Sequence, residues 1–165
     1  MEALYEAQKN KIFSLCVKLT GSCQDAEELF SETWLKIAEK HKNLQPDKEP
    51  VNWMYTVCLN LYRKSYAKAR RYGAPVPDGE AILLDTQSNE NVESDAVASD
   101  EAARLRGAIQ KMDDKYRVPL ILFYYRDESY QDIVRVMKLP MSTVKYRIHQ
   151  AKAILRREMG DNSER

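Results

Sequence analysis

The sequence is poor in cysteine and histidine. Its three cysteines, Cys16, Cys23 and Cys58, stand at unrelated spacings with no Cys-x-x-Cys pair, and His41 and His149 are the only histidines. An odd number of scattered cysteines argues against a disulfide framework, and so few sulfur and nitrogen ligands argue against a structural zinc site. We therefore expect three reduced thiols that serve as small apolar side chains, and no bound metal.

Long apolar runs are also missing. No stretch approaches the roughly 18 apolar residues of a membrane-spanning helix, and the polar N-terminus does not read as a secretory signal. The sequence therefore predicts a cytoplasmic protein without membrane insertion.

Catalytic constellations are equally scarce. Asp113 with Asp114, Asp25 with Glu28, and the two histidines are the candidate acid, base or metal groups, but none pairs with a convergent partner. No Gly-rich phosphate-binding loop accompanies them. We expect no enzymatic activity, no catalytic residue and no cofactor.

The charge is balanced overall but segregated along the chain. The 26 basic and 25 acidic residues give a net charge of +1. Residues 51–77 and 133–157 contain basic side chains and no acid, whereas residues 78–101 contain acids and no base. A basic run of this kind favours a phosphate-binding surface, so two segments are candidates for contact with nucleic acid.

Two helices joined by a short turn are predicted between Ser129 and Glu158. Ser129 is placed to cap the first, and apolar residues recur at i, i+3 and i+4 from Ile133. Pro140 stops this helix, and a second one can begin just beyond it with a polar, basic outer face. This pattern is typical of a DNA-binding helix-turn-helix; the alternative is an ordinary helical hairpin whose polar face is solvated.

Three further helices are predicted in the first half of the chain. The first runs from Leu4 to Leu19 and is stopped by Gly21; the second, capped by Ser22, carries a regular apolar stripe and an acidic opposite face. The third runs from Pro50 to about Arg71 and interleaves tyrosines with arginines. Such a face suits unpaired nucleic acid, although the tyrosines could instead pack against neighbouring helices.

The region 74–99 loses this periodicity. It begins with Pro75, Pro77 and Gly79 and continues with polar and acidic residues, which predicts a flexible acidic linker. The fold class expected is therefore all-α, with two small helical domains at 1–73 and 100–160. In the second domain the nearly continuous apolar run from Val118 to Tyr125 predicts a buried helix.

Taken together, these segments resemble a sigma factor of the sigma-70 family, in the two-domain extracytoplasmic-function (ECF) group. Asp25 to Phe30 is similar to the polymerase-binding helix of region 2, and Trp53 to Asn60 to its promoter-melting helix. Ser129 to Ile133 and Leu139 to Lys152 are similar to the helix-turn-helix of region 4.

The resemblance implies an alternative sigma factor that binds core RNA polymerase and directs promoter-specific initiation, reading the −10 element through region 2 and the −35 element through region 4. It also implies an anti-sigma factor as a partner and a part in stress responses. A helix-turn-helix repressor or activator that is not a polymerase subunit is the alternative. The basic, aromatic helix separates the two, because a simple repressor needs no strand-opening surface.

The resemblance also assigns residues to these contacts. It implies −35 contacts by Ser142, Lys145, Tyr146, Arg147, His149 and Gln150. It implies that a loop from Gln45 to Val51 holds a flipped base of the −10 element. The other −10 contacts that it implies are made by Asn60, Arg63, Tyr66, Arg70 and Arg71. Polymerase contacts are expected on the acidic helix, from Asp25, Glu28, Ser31 and Glu32.

Three positions depart from the usual family pattern. Ser31 stands where Gln is common, Gln150 where a basic residue is common, and Lys138 where the turn of the helix-turn-helix usually has Gly. They bear on a polymerase contact, on the DNA sequence preference and on the geometry of the turn.

Overall fold

The computed structural model describes residues 2–43, 50–67, 96–125 and 128–160, with no strand among them. The chain divides into two compact units, one made mainly of the N-terminal helices together with Arg135–Lys138, and one made of the other C-terminal helical residues. The predicted all-α fold with two helical domains is confirmed. Of the predicted linker 74–99, residues 74–95 lie outside the described residues. Its last four residues, 96–99, belong to the helix Ala96–Lys111, so the predicted boundary at residue 100 is four residues too late.

The N-terminal unit starts with two helices joined by a glycine turn. Helix α1 spans Glu2–Thr20 and helix α2 spans Cys23–Lys40, followed by a short 3₁₀ turn at His41–Asn43. Gly21 adopts φ 70°, a left-handed conformation that costs glycine little, and its N–H donates to the Val17 carbonyl at 2.8 Å. The predicted stop of α1 at Gly21 is confirmed.

The apolar stripe of α2 forms part of the core. Ala26, Leu29, Thr33 and Ile37 are all buried. Thr33 is tolerated there because its hydroxyl donates to the Leu29 carbonyl at 2.7 Å. Ser22 begins the helix as predicted, accepting the Asp25 N–H at 3.5 Å.

Helix α3 spans Pro50–Ser65 and ends earlier than the predicted Arg71, which lies outside the described residues. Its buried Cys58 places Sγ 3.7 Å from Sγ of the equally buried Cys16. All three cysteines are free thiols. Hydrogen bonding to Cys58 and burial raise the pKa of the Cys16 thiol. Both side chains are fully buried and fill the core as small apolar groups, in line with the prediction.

The C-terminal unit begins with helix α4, Ala96–Lys111, and helix α5, Asp114–Tyr125. The predicted burial of the apolar run holds for Val118, Leu120, Ile121 and Leu122, but Tyr124 is 56% exposed. Arg117 is fully buried and tolerated because its Nε donates to Asp114 Oδ1 at 2.9 Å.

The helix-turn-helix consists of α6, Tyr130–Met137, and α7, Met141–Gly160. Ser129 caps α6 by accepting the Asp132 N–H at 3.1 Å, as its position predicts. Lys138 takes the left-handed φ of 55°, so the turn keeps the conformation that glycine usually supplies. Helix α7 contributes Ala151, Ile154 and Leu155 to a core cluster with Ile109, Met112, Tyr116 and Leu120, which come from α4, α5 and the short connection between them.

Candidate nucleic-acid interface

The outward face of α7 is the first candidate surface. Val144, Ile148 and Ala151 are buried, which turns the intervening positions away from the core. Four of the six predicted −35 residues are exposed, namely Ser142, Lys145, Tyr146 and His149, whereas Arg147 and Gln150 are half-buried. At 55% exposure Tyr146 is one of the few large aromatic side chains that the described surface presents to solvent.

Two lysines on this helix lie against aromatic rings. Nζ of Lys145 is 5.9 Å from the centroid of the Tyr130 ring, and Nζ of Lys152 is 4.9 Å from that of Phe123. Lys152 is absent from the predicted set. Its place in the basic run was visible in the sequence, but its contact with rings from another helix was not.

The exposed end of α3 is the second candidate surface. Asn60 and Arg63 are exposed, and Tyr66, just beyond the helix, is half-buried. Tyr55 and Tyr62 are buried, at 2% and 0% exposure, so for these two the packing alternative is correct and neither ring can stack on a base. Arg70, Arg71 and the loop residues 45–49 lie outside the described residues.

Tyr66 also belongs to an acidic neighbourhood. Its hydroxyl donates to Glu32 Oε1 at 3.4 Å. Burial, and then the negative charge of Glu32, Glu28 and Asp25, raise the pKa of Tyr66 to about 12. The carboxylates thus favour the protonated hydroxyl, which is the form that donates the hydrogen bond to Glu32.

The acidic face of α2 is the third candidate surface. Glu28, Ser31 and Glu32 are exposed and Asp25 is half-buried. Positions 28, 31, 32 and 35 lie on one side of the helix because of their spacing. Leu35, which is 66% exposed, therefore adds an apolar side chain at one end of the acidic face.

An apolar groove next to this face was not predicted. It is a shallow depression, open to solvent, with a volume of about 610 Å³, and it is lined by Glu2, Tyr5, Ser31, Trp34, Leu35 and Ala38. Tyr5 meets Trp34 edge-on with ring centroids 4.8 Å apart, so α1 supplies one wall and α2 the other. Nε1 of Trp34 is buried and has no hydrogen-bond partner. The sequence signal was Leu35, an apolar residue outside the buried stripe.

Two further findings concern the described residues alone. They contain no cluster of three or more His, Cys, Asp or Glu side chains that could hold a metal ion. None of their helices is both long and apolar enough to cross a membrane.

Comparison with known families decides between the sequence-based alternatives. Residues 4–72 match the model for sigma-70 region 2, and residues 102–155 match the model for sigma-70 region 4. The chain belongs to the sigma-70 family. Region 2 thus takes in α1 to α3, and region 4 takes in the helix-turn-helix and most of the helices before it.

Relatives and a solved structure agree with this assignment. The ECF RNA polymerase sigma factor SigW of Bacillus subtilis (strain 168) is 26% identical over 164 residues, covering 96% of this chain and 88% of the relative. The RNA polymerase sigma-H factor of Pseudomonas aeruginosa is 28% identical over 155 residues, covering 87% and 78%. Sigma factor RpoE, crystallised with the anti-sigma factor NepR from Bartonella quintana, shares the fold with a TM-score of 0.72 at 16% identity, covering 96% of each chain.

The chain is therefore an alternative sigma factor of the ECF group, and its function is to direct promoter-specific transcription initiation. The comparisons favour this function over that of a helix-turn-helix repressor or activator. Sigma factors are regulatory subunits, in keeping with the expectation of a chain that is not an enzyme.

Proposed function

We propose that this sigma factor divides its work among three surfaces. The face of α2 with its groove binds core RNA polymerase, the end of α3 holds the unpaired −10 strand, and α7 reads the −35 duplex. The observation that carries this proposal is the contrast in charge between an acidic, partly apolar α2 and an acid-free outer face on α7 up to Arg157. The chain performs no chemistry of its own and acts in the cytoplasm, where the polymerase is.

The polymerase surface combines charge with apolar area. Glu28 and Glu32 favour a partner with cationic side chains, and the exposed Leu35 favours one that also inserts an apolar side chain. These features support a protein partner for α2 rather than DNA, whose phosphates the acids would repel.

The −10 surface suits a single strand because its groups combine a cation with polar and aromatic contacts. The exposed Arg63 can follow the backbone, and Asn60 can hydrogen-bond to an unpaired base. The ring of Tyr66 is half-exposed, while its hydroxyl is engaged by Glu32. Stacking by Tyr66 therefore uses the ring face and leaves the hydroxyl contact in place.

The −35 surface suits the major groove. An α-helix fits that groove. The exposed Tyr146 and His149 project from the side of α7 opposite its buried stripe, and the exposed Lys145 lies on the flank. The half-buried Gln150 stands at the edge of this face, from which an amide can pair bidentately with adenine.

An anti-sigma factor is the further partner that we propose. The structural relative RpoE is seen with the anti-sigma factor NepR. A partner of this kind would inhibit the chain by covering the α2 face, the α7 face or both, since both faces carry exposed side chains.

The test is run-off transcription with purified core polymerase on a genomic promoter library, with and without this chain. We expect a defined set of transcripts only when the chain is added, and their start sites would give its −10 and −35 sequences. A chain that binds DNA fragments but starts no transcript with core polymerase would instead act as a repressor or activator.

A further inference from the structure

Three aromatic rings of the C-terminal unit form a continuous row. Phe123 and Tyr130 are stacked, with centroids 5.2 Å apart and planes 15° apart. Tyr124 meets Phe123 edge-on at 5.1 Å. Because Phe123 and Tyr124 stand in the last turn of α5 and Tyr130 begins α6, this aromatic row joins two helices. Contacts of this geometry are favourable beyond the apolar area that they bury.

Two lysines of α7 lie over the aromatic row. Nζ of Lys145 is 5.9 Å from the Tyr130 centroid, and Nζ of Lys152 is 4.9 Å from Phe123 and 5.7 Å from Tyr124. These distances are within the roughly 6 Å over which a ring attracts a cation. The lysines are seven residues apart, so they share one side of α7 and are separated by about 10.5 Å along its axis.

Both ammonium groups keep their charge available to a ligand. Among the described residues, neither lysine has a carboxylate within ion-pair distance. A ring attracts the cation without neutralising it, unlike a carboxylate. It also restricts a side chain that is otherwise very flexible, so less rotamer entropy is lost when the lysine binds.

We infer that the aromatic row positions Lys145 and Lys152 as a pair that binds two backbone phosphates of duplex DNA. The inference rests on the proposed role of α7 at the −35 element. It makes Lys152 a DNA contact and makes Phe123 and Tyr130 positioning residues. A phosphate is the expected ligand because lysine presents a single compact charge, without the planar fork that reads guanine.

The first test measures the salt dependence of binding by the full chain with core polymerase, on a promoter found by the run-off screen. We expect Lys152→Met to weaken promoter binding about five- to tenfold near 0.1 M salt and to reduce the slope of log K against log salt by about one. Base preference should not change, and Lys152→Arg should keep the wild-type slope.

Lys115 offers a matched control for Lys152. Its Nζ lies 5.4 Å from the Tyr116 ring at the start of α5, so it is also a lysine over a ring, but outside the aromatic row. Lys115→Met should leave the slope unchanged. Equal slopes for both variants, whether reduced or not, would overturn the assignment of Lys152.

The second test separates positioning from folding. Tyr130→Leu should weaken binding about two- to fivefold, the size of a cation–π contact at an exposed site, and Tyr130→Phe should restore it. In a Lys145→Met background Tyr130→Leu should have a smaller effect, because the direct contact of the ring with that lysine is already lost. The same loss in both backgrounds would show that Tyr130 supports only the fold.

These outcomes are distinguishable from failure of the proposed function. If the chain forms no complex with core polymerase or starts no transcript, the proposed function itself is wrong. If wild type initiates normally but Lys152→Met keeps the full salt slope, only the phosphate pair is rejected.

Discussion

The hydroxyl of Tyr66 donates a hydrogen bond to Oε1 of Glu32 over 3.4 Å, which joins the end of α3 to the acidic face of α2. The two residues were assigned from the sequence to different partners, Tyr66 to the −10 strand and Glu32 to polymerase. Their contact means that a change at one surface alters the other. An exposed hydrogen bond of this length is weak, so the effect of either residue on its neighbour should be modest.

The pH dependence of stability provides a test of this contact. Burial and the nearby carboxylates raise the pKa of Tyr66 to about 12 from its ordinary value of 10.0. The folded chain thus holds this proton more tightly than the unfolded chain does. Its contribution to stability is complete below about pH 10 and is lost as the pH rises through about 12. We expect the unfolding free energy of wild type to fall more steeply across this window than that of Tyr66→Phe; parallel curves would contradict the contact.

The groove beside α2 predicts an effect of Leu35 on binding without an effect on folding. Leu35 is 66% exposed, so Leu35→Ser should change the unfolding free energy by no more than about 0.5 kcal/mol. Affinity for core polymerase should fall by about 1 to 2 kcal/mol, because apolar area that the partner covers is lost. Competition binding against wild type measures this loss.

Leu105 is the control for Leu35. It is an exposed leucine on α4, at 36% exposure, in the other unit. Leu105→Ser should bind core polymerase as wild type does. If it weakened binding as much as Leu35→Ser, the groove would have no special part in the interface.

The turn of the helix-turn-helix predicts a stabilising substitution. Lys138 has φ 55°, a conformation that costs an ordinary L-residue roughly 1 to 2 kcal/mol and glycine far less. After the greater flexibility of glycine in the unfolded chain is subtracted, Lys138→Gly should stabilise by about 0.5 to 1 kcal/mol. Urea unfolding measures the change. Lys138→Ala removes the same charge but keeps Cβ, and an equal gain from it would show that backbone strain is not the cause.

Gln150 predicts a change in sequence preference. The amide can pair bidentately with adenine, whereas arginine at this position would favour guanine or a phosphate. We expect Gln150→Arg to shift the preferred base at one −35 position by about 1 to 3 kcal/mol. Selection of randomised −35 duplexes by the polymerase-bound chain measures the profile. An unchanged profile would show that Gln150, which is half-buried, reads no base.

Local features of the fold were predictable because they depend on neighbours in sequence. The stripe of α2 repeats with the helical period, Ser22 and Ser129 accept N–H groups three residues on, and Gly21 supplies the left-handed stop. The left-handed conformation of Lys138 was not predictable from the residue itself, because lysine rarely adopts it. Only the resemblance to the family indicated that glycine is usual at this turn.

Tertiary features of the candidate site were not predictable from periodicity. The sequence predicted that tyrosines and arginines share one face of α3, yet Tyr62 is fully buried and Arg63 is exposed. The α2 groove needs Tyr5 from α1, and the ring contacts of Lys152 need Phe123 from α5. The groove and the ring contacts each bring together residues that are far apart in the sequence. Helical periodicity does not indicate which of these residues meet in the fold.

The division of work between α2 and α7 is tested most directly by run-off transcription from one selected promoter, with core polymerase and promoter titrated separately. Glu28→Lys should weaken binding to core polymerase by about 1 kcal/mol, so that more of the chain is needed to saturate it, and should leave the promoter titration of the assembled complex unchanged. His149→Ala should weaken promoter binding and leave the titration of core polymerase unchanged, since it removes an exposed side chain of α7. Glu101→Lys, the same charge reversal at an exposed position of α4, should alter neither titration. If Glu28→Lys and His149→Ala shifted the same titration, the two surfaces would not have separate partners and the account would be wrong.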